Sequence, residues 1–500
     1  MISIFVVHPD QSTVPSPRPV TRLPYCLQPH TKMNGLLRST SHLARPAVCG
    51  LKACPVLVSR PVRADVRTRA LSEAAGPGAA KLKPFVGTNC YYLLERAIKG
   101  EWKCVDDTLD FVHKTGFNVL RIWAFNDGEG DGKLQATRGL LDPKNEKALK
   151  AFDTLLDKVE AFNKRDGIVA GVNDIKLMMT LTNCVNDYGG MQQYVRWAWD
   201  EKEKKEERRP GPGMIADVKS PDGKTVKKFD NMERFEFFIR NSADKDFNKA
   251  ADTAQGYFMQ YVEDMVKHCK DKKRTCIHSW DICNEPRNKK TPNDNRAVGD
   301  WVHKVAEKIK ETDHKSLVTI GSEGFFGPKV DDGKDWQEHN PNPNWNEGCN
   351  WIYECKSPYI DFVCIHAWAD QWKDDVYNHH RLGNNPEDPK GWLEFNKQWL
   401  ERHIEAAAKE LGGKPLVLQE YNMPACDQRT ELFELVGKKL TDANSPLIGV
   451  MCWMLAANGA IKPEDADPYT MLPGTDVKPN PDLVPLNKLC NSVNLKPPTT

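Results

Sequence analysis

Two glutamates that follow apolar, β-rich runs are the side chains of this 500-residue chain best suited to carry chemistry. Glu285 comes directly after the run 279–284, and Glu420 comes directly after the run 415–419. When two carboxyl groups face each other, one can protonate a glycosidic oxygen while the other attacks the anomeric carbon or activates water. Such a pair needs surroundings that separate the two pKa values. The pattern therefore predicts hydrolysis of a glycosidic bond, provided that the fold brings both strand ends together.

The elements that must position these glutamates alternate along the chain. Short β-rich runs are predicted at residues 84–88, 119–124, 176–181, 277–283, 316–320, 360–365, 415–419 and 448–454. Apolar residues at helical spacing predict helices at 102–115, 145–165, 253–269, 295–312, 392–411 and 428–441. Eight strands that alternate with helices predict an α/β fold, a single (β/α)8 TIM barrel. A doubly wound open sheet would alternate in the same way, but its glycine-rich marker after the first strand is absent.

Polar and aromatic side chains stand at or just beyond the ends of these predicted strands. They are Arg121, Asn183, Asn284, Glu285, Glu323, His366, Glu420 and Trp453. In a (β/α)8 barrel the chemistry gathers at the carboxyl ends of the strands, so these side chains would converge on one face. Buried charges are costly unless they are paired or hydrogen-bonded, which favours one functional cluster over scattered structural ion pairs.

The sequence around these positions resembles glycoside hydrolase family 5 of clan A, and most closely its endo-β-1,4-mannanases. The matching segments follow the family's order at residues 85–93, 118–127, 189–197, 284–287, 320–327 and 361–372. The resemblance implies a barrel that cleaves internal β-1,4 bonds of a mannan by a retaining double displacement. It also implies Glu285 as the acid/base and Glu420 as the nucleophile, with no metal and no cofactor.

The same resemblance assigns further residues of the site. Arg121 would keep the nucleophile ionised, and Asn284 would bind the substituent at C2 of the reacting sugar. His366 would stand beside the acid/base, Trp453 would form the floor under that sugar, and Arg287 would line the leaving-group side. The complete set of expected substrate-binding residues is Arg121, Trp123, Asn183, Asn284, Arg287, Glu323, His366, Trp368, Trp372 and Trp453.

Two positions depart from the family's usual pattern. Asn183-Cys184-Val185 stands where Asn-Asn-Trp is usual, so one aromatic sugar platform is expected to be missing. Trp368 stands where a tyrosine is usual. An indole can stack on a sugar but cannot donate a phenolic hydrogen bond to the nucleophile. Because both glutamates are present, we expect the chain to retain hydrolytic activity. The two departures leave its substrate preference open.

Several alternatives remain open from the sequence. A β-1,4-endoglucanase or an exo-acting β-mannosidase of the same family would use the same carboxyl pair, because mannose and glucose differ only at C2. A non-catalytic carbohydrate-binding relative would be expected to lose one of the five key side chains. All of them are present: Arg121, Asn284, Glu285, His366 and Glu420. An ester hydrolase is not supported, because the chain has no Gly-X-Ser-X-Gly elbow.

Composition limits the organisation of the chain and its partners. Residues 1–82 form a basic leader, with ten Lys or Arg against three Asp or Glu in residues 1–80. Such a leader is typical of an organellar, plastid-like transit peptide; a disordered tail or a secretory leader are the alternatives.

Residues 83–461 would be the glycosidase domain, and the proline-rich tail 462–500 would pack on it through a short end helix. The mildly acidic body predicts no nucleic-acid partner, and no window has the roughly 18 apolar residues of a membrane helix. We expect a monomer that binds a β-mannan or a related polysaccharide.

Two long loops and the cysteines carry weaker signals. Residues 197–241 are a charged insertion that would border the cleft, and Pro221-Asp222-Gly223-Lys224 within it predicts a hairpin turn. Three indoles in the loop 327–358 would serve either outer sugar subsites or hydrophobic anchoring; they are Trp336, Trp345 and Trp351. Among fifteen cysteines, Cys349 and Cys355 suggest a local disulfide.

Overall fold

A computed structural model describes residues 82–493 except for 131, 186, 204–213, 220–224, 230–232, 329–334, 381, 383–384, 458, 462–465, 474–479 and 482. The leader predicted for residues 1–82 lies outside the described residues apart from Leu82, so its targeting role stays a prediction. Within the described ranges, no helix is long and apolar enough to cross a membrane.

Eight parallel strands form a nearly closed barrel, as the sequence predicted. In chain order they are β1 (Phe85–Asn89), β2 (Val119–Trp123), β3 (Lys176–Thr180), β4 (Ile277–Asn284), β5 (Leu317–Gly321), β6 (Val363–Ala367), β7 (Leu416–Tyr421) and β8 (Leu447–Cys452). Neighbours along the sheet run from β5 through β4, β3, β2, β1, β8 and β7 to β6. The pairing of β1 with both β2 and β8 is what turns the sheet into a barrel.

The remaining gap, between β5 and β6, is bridged at the start of the two strands. Asp361 donates its backbone N–H to the Val318 carbonyl oxygen at 2.9 Å, and its side chain accepts from the Val318 N–H at 2.8 Å. The Thr319 hydroxyl donates to the Phe362 carbonyl oxygen at 2.8 Å. The Asp361 carboxylate thus takes the place of a backbone acceptor in the hydrogen bonding between β5 and β6. Strand β6 begins at Val363, three residues later than the sequence predicted.

Helices follow the strands and cover the barrel. They are α1 (Leu93–Ile98), α2 (Trp102–Thr115), α3 (Glu146–Phe162), α4 (Met191–Glu203), α5 (Lys245–Asp271), α6 (Ala297–Thr312), α7 (Trp351–Cys355), α8 (Lys373–His380), α9 (Pro389–Glu410), α10 (Asp427–Leu440) and α11 (Leu483–Ser492). All six predicted helices are present. Helix α5 begins eight residues earlier than predicted because the Asp244 side chain caps it by accepting from the Asp246 N–H.

One apolar layer fills the barrel interior on the side away from the strand ends that carry the site. Its buried members are Phe85, Val119, Met178, Phe362, Cys364, Val417 and Met451. Gly449 on β8 makes room for the largest of them, since a Cβ at this position would lie 2.3 Å from Cζ of Phe85. Packing of this kind holds the strands, and therefore the side chains at their carboxyl ends, in fixed positions.

The weaker sequence signals have mixed outcomes. The predicted hairpin is present as the antiparallel strands Met214–Lys219 and Thr225–Phe229, although the turn itself lies outside the described residues. Trp336 and Trp351 are buried, so both serve as hydrophobic anchors and not as exposed sugar platforms. The disulfide suggested for Cys349 and Cys355 was wrong, because both are buried free thiols.

Candidate active site

The two glutamates meet at the carboxyl end of the barrel. Glu285 is the first residue after β4 and Glu420 lies near the end of β7, while His366 projects from β6 between them. The His366 Nδ1 atom is 2.8 Å from Oε1 of Glu285 and 3.5 Å from Oε2 of Glu420. One oxygen of each glutamate and one His366 nitrogen all lie within 4.8 Å of one another. The fold thus brings together the side chains that the sequence placed on three different strands.

The backbone at Glu285 is itself unusual. Its φ angle is +48°, in the left-handed region that residues other than glycine seldom occupy. Its N–H is held by the Gly321 carbonyl oxygen on β5 at 2.7 Å. Strained backbone of this kind persists where the surrounding structure fixes it, and it is concentrated at functional sites.

A fully buried guanidinium organises the floor of the site. Arg121 on β2 donates to Oδ2 of Asp281 at 2.9 Å, to Oδ1 of Asn284 at 2.8 Å and to Oδ1 of Asn89 at 3.2 Å. It also donates to Oε1 of Glu420. Because Arg121 is enclosed by two carboxylates and two amide oxygens, its buried charge is fully paired. This arrangement orients the Glu420 carboxylate and satisfies one of its two oxygens.

The protonation of the site is shared among three coupled groups. Burial raises the pKa of Glu420, and the charges of His366 and Arg121 only partly offset that rise. Burial would also raise the pKa of Glu285, but the hydrogen bond and charge of His366 lower it overall. Burial lowers the pKa of His366, whereas the two carboxylates raise it, and the net direction is upward. A proton on the imidazole is therefore favoured, and the three groups titrate as a unit.

The side chains of Asn284 and Asn183 are held by hydrogen bonds next to the two glutamates. Asn284 donates one amide hydrogen to Oδ1 of Asn183 at 3.1 Å, and that oxygen also accepts from the Val185 N–H at 2.8 Å. Since the Asn284 oxygen is held by Arg121, its NH2 group is oriented with one hydrogen left for a ligand. Val185, which stands where the family usually has an aromatic residue, is 37% exposed.

A second ion-pair network lies on the other side of Glu285. Arg287 binds Glu323 with two hydrogen bonds, at 2.7 and 2.5 Å, and donates to Glu347 at 2.7 Å. Its guanidinium carbon lies 5.1 Å from the centre of the Phe325 ring. Burial raises the pKa of Glu323 to about 7, although the Arg287 charge opposes the rise. Arg287, Glu323 and Glu347 therefore form a charged, hydrogen-bonded group next to Glu285.

Aromatic rings form the remaining border. Trp453 is stacked on Tyr91 with ring centres 5.5 Å apart, and Trp123 lies 6.5 Å from Trp453. The Trp368 indole N–H donates to Oε2 of Glu420 at 3.3 Å. The sequence predicted only that the Trp368 indole could stack on a sugar, whereas its N–H contacts the carboxylate at the nucleophile position. Trp372 is not among these rings.

Trp372, which the sequence placed in the substrate-binding set, lies one layer further back. Its ring packs against Phe325, Phe395 and Trp399 at centre distances of 5.5 to 6.5 Å. It supports Phe325, the ring beneath Arg287, and it contacts neither glutamate among the contacts that the structure records. The sequence signal, an aromatic residue shortly after a strand end, does not distinguish a cleft residue from one that packs behind it.

Three site residues were missed by the sequence reasoning. Asn89 and Asp281 bind Arg121, and the Gln419 side-chain oxygen contacts Nε2 of His366 at 3.0 Å. The Gln419 side chain also donates to Asp281 at 3.2 Å. It therefore connects His366 with the hydrogen bonds around Arg121. The available signal was Asp281 itself, because a charge inside an apolar strand requires a buried partner.

The cluster also has the spacing of a possible metal site. Among the residues that the structure describes, the group of three potential ligands with close enough atoms is Glu285, His366 and Glu420. These atoms already contact one another and Arg121 through hydrogen bonds.

Curated relatives match about three quarters of the chain. The chain is 28% identical over 391 residues to mannan endo-1,4-beta-mannosidase 5 of Solanum lycopersicum, covering 76% of this chain and 79% of that protein. It is 27% identical over 393 residues to mannan endo-1,4-beta-mannosidase 5 of Arabidopsis thaliana, covering 75% of each.

Solved structures agree on the architecture. An endo-beta-1,4-mannanase from Thermotoga petrophila superposes with a TM-score of 0.58 at 21% identity, over 83% of this chain and 77% of that one. An endo-1,4-beta-mannanase from Rhizomucor miehei gives 0.56 at 19% identity, over 84% and 99%. At such identities the likeness bears on the fold. The family model for GH family 5 beta-mannosidase-like proteins matches residues 84–446. The chain belongs to the β-mannosidase-like group of glycoside hydrolase family 5.

Proposed function

We propose that the protein is an endo-β-1,4-mannanase that hydrolyses internal bonds of mannan, glucomannan or galactomannan with retention of configuration. One observation carries the proposal: an oxygen of Glu285 and an oxygen of Glu420 lie within 4.8 Å of each other at the carboxyl end of a family 5 barrel. Retaining glycosidases hold their carboxyl groups about 5–5.5 Å apart, whereas inverting enzymes leave roughly 6.5–9.5 Å for a water molecule. The relatives named mannan endo-1,4-beta-mannosidases support the substrate class.

In the proposed first step, Glu420 attacks the anomeric carbon and Glu285 gives a proton to the leaving oxygen. Oε1 of Glu420 is held by Arg121, while Oε2 has only the longer contacts with Trp368 and His366, at 3.3 and 3.5 Å. Oε2 is therefore the oxygen free to form the bond to the sugar. In the second step, Glu285 takes a proton from water as the water releases the glycosyl group from Glu420.

The proton for the first step is supplied within the cluster. The pKa of Glu285 is lowered in the empty site and that of His366 is raised, so the imidazole holds a proton 2.8 Å from Oε1 of Glu285. Transfer across this hydrogen bond converts Glu285 into the acid that the leaving oxygen needs. His366 thus acts as the proton reserve of the acid/base.

The surrounding residues bind the sugars on either side of the broken bond. The free amide hydrogen of Asn284, oriented by Asn183, is placed for the C2 hydroxyl of the reacting sugar. Trp453, with Trp123 beside it, offers an indole face to the apolar side of that sugar. On the leaving-group side, Arg287 is fixed by Glu323 and is placed to bind the next sugar. Together with Glu285, Glu420, Arg121, His366 and Trp368, these six residues account for eleven of the twelve expected residues, and Trp372 is the exception.

The test is reducing-end release by the full chain on glucomannan, unsubstituted mannan and carboxymethylcellulose. We expect activity on the two mannans, and a loss of at least about 10³-fold in Glu285→Gln and in Glu420→Gln. Glu431→Gln, an exposed position on α10, is the matched control and should retain full activity. Equal activity on carboxymethylcellulose would move the specificity to a β-1,4-endoglucanase, and an inactive folded protein would refute the proposal.

A second assay separates the two glutamates. An aryl β-mannoside with a good leaving group needs no protonation, so Glu285→Gln should still release a burst of phenol and then stall. Glu420→Gln should release none, because it lacks the nucleophile. If both variants gave the same burst, the assignment of the two roles would be wrong.

A further inference from the structure

The segment of residues 466–471, which follows β8, packs against the site although it lies beyond the part of the chain that the family model matches. Its main chain is anchored to the barrel, since the Met471 N–H donates to the Met454 carbonyl oxygen at 2.8 Å. Asn422, two residues after the nucleophile position, donates its amide to the Tyr469 carbonyl oxygen at 2.9 Å. The segment is therefore fixed at the rim of the barrel next to β7.

One side chain of this segment holds the indole proposed as the sugar floor. Oδ2 of Asp467 accepts from the Trp453 indole N–H at 2.9 Å. The other oxygen, Oδ1, accepts from the Tyr469 N–H at 3.0 Å and from the Thr470 hydroxyl at 2.7 Å. The carboxylate is thus locked by its own turn, and its second oxygen fixes one edge of Trp453. Tyr91 stacks on the same ring, so the plane of the indole is fixed as well.

A second side chain of the segment holds the indole that contacts the nucleophile. The Tyr469 ring meets the Trp368 ring edge to face, with centres 4.9 Å apart. Its hydroxyl donates to Oδ2 of Asp370, two residues beyond Trp368. Tyr469 and Asp370 are both only 8% exposed. Trp368 in turn donates to Oε2 of Glu420, so a continuous set of contacts joins Tyr469 to the nucleophile.

We propose that residues 466–471 form a positioning clamp for the active site. Asp467 fixes the Trp453 indole, and Tyr469 fixes the Trp368 indole, whose N–H serves Glu420 in place of the phenolic donor usual in the family. Asp467 and Tyr469 are positioning residues, since they act through the two indoles. The inference rests on the proposed function, because it assigns the clamp to the same nucleophile and the same sugar site.

The experiment compares Tyr469→Phe and Asp467→Ala in the full chain with a matched control. Tyr469→Phe keeps the ring and removes the hydroxyl with its bonds to Asp370 and to the Gln371 side chain. We expect kcat on mannan to fall about fivefold to tenfold with KM within about twofold. Asp467→Ala frees the sugar floor, so kcat should fall and KM should rise. Asp442→Ala is the control, because Asp442 caps a similar exposed turn at the opposite end of the barrel. It should change neither constant.

A pair of variants at Trp368 supplies a readout that a purely structural role would not move. A hydrogen bond to the ionised form of a carboxyl lowers its pKa. Trp368→Phe should therefore shift the acidic limb of kcat/KM upward by about half a pH unit to one unit, while Arg121, His366 and Glu285 continue to face Glu420. Trp368→Tyr restores a donor and should return the limb to its original position.

The outcomes separate the clamp from the proposed function. If the wild-type protein cleaves mannan while Tyr469→Phe and Asp467→Ala match it in kcat and KM, the clamp is refuted and the function stands. If Trp368→Phe and Trp368→Tyr have the same acidic limb, the donor role of the indole is refuted. An inactive wild-type protein would refute the proposed function first, and the clamp with it.

Discussion

A buried carboxyl group close to the site provides a sharp test of how pH affects stability. Glu354 on α7 is fully buried. One of its oxygens accepts from the Asn350 N–H at 2.8 Å, and the other accepts from the Ser322 hydroxyl at 3.2 Å. Neither partner carries a charge. A glutamine has the same shape and can keep both contacts, its oxygen accepting from Asn350 and its NH2 donating to Ser322. Glu354→Gln therefore removes the ionisation and little else.

The magnitude follows from the raised pKa. Burial raises the pKa of Glu354 from 4.5 to about 7, and the two hydrogen bonds only partly oppose it. At roughly 1.4 kcal/mol per pKa unit, ionisation costs the folded state about 3 kcal/mol. Because the folded pKa is the higher one, this cost is absent below the unfolded pKa. It grows as the pH rises from the unfolded pKa of 4.5 towards the folded pKa of about 7, and it is complete above the folded pKa.

The assay is thermal unfolding of the wild-type protein and Glu354→Gln at pH 5 and pH 8.5. An unfolding entropy of about 2.1 cal/mol/K per residue, over the roughly 370 residues that the structure describes, converts 3 kcal/mol into about 4 °C. We expect the variant to be more stable by about 1 °C at pH 5, just above the unfolded pKa, and by the full amount at pH 8.5. Glu431→Gln, exposed on α10, should give the same small difference at both pH values. A variant that is less stable at pH 8.5, or a difference independent of pH, would refute the reasoning.

Two further substitutions test the floor and the interior of the barrel. Arg121→Lys keeps the charge but loses the fork that reaches four acceptors, so kcat/KM on mannan should fall by about 10²–10³-fold. Activity within tenfold of the wild type would show that the guanidinium does not orient Glu420. Gly449→Ala would place a Cβ 2.3 Å from the Phe85 ring, so we expect about 1–3 kcal/mol of destabilisation, measured by denaturant unfolding. An unchanged midpoint would mean that the Phe85 ring can move aside.

The barrel was predictable because buried parallel strands read as short apolar runs wherever they occur in a chain. All eight strands lie within three residues of their predicted positions. Helix α4 was not predicted, although Met191, Tyr194, Val195 and Ala198 form a buried stripe at helical spacing. Gln192 and Arg196 stand between these residues in the sequence and bind Glu233. Polar residues with buried partners thus obscured an apolar face that the structure shows.

The site was predictable wherever a functional side chain ends a strand, because strand ends share one face of the barrel. It was not predictable where the contact is made in the interior or by a distant loop. Asn89 and Gln419 are unremarkable in the sequence and acquire a role only when Arg121 and His366 are placed beside them. Tyr469 contacts Trp368 across about a hundred residues of chain, and no local pattern marks that pairing.

The same geometry explains how one carboxyl group can serve first as an acid and then as a base. Among the influences that raise the pKa of His366, the negative charge of Glu420 is the largest. In the proposed mechanism that charge disappears when Glu420 becomes bonded to the sugar. By then His366 has given its proton through Glu285 to the leaving oxygen, and its lowered pKa keeps the imidazole neutral. Glu285 is therefore ionised at 2.8 Å from His366 and is ready to accept a proton from water. In the proposed mechanism, the change of role therefore follows from the loss of one charge.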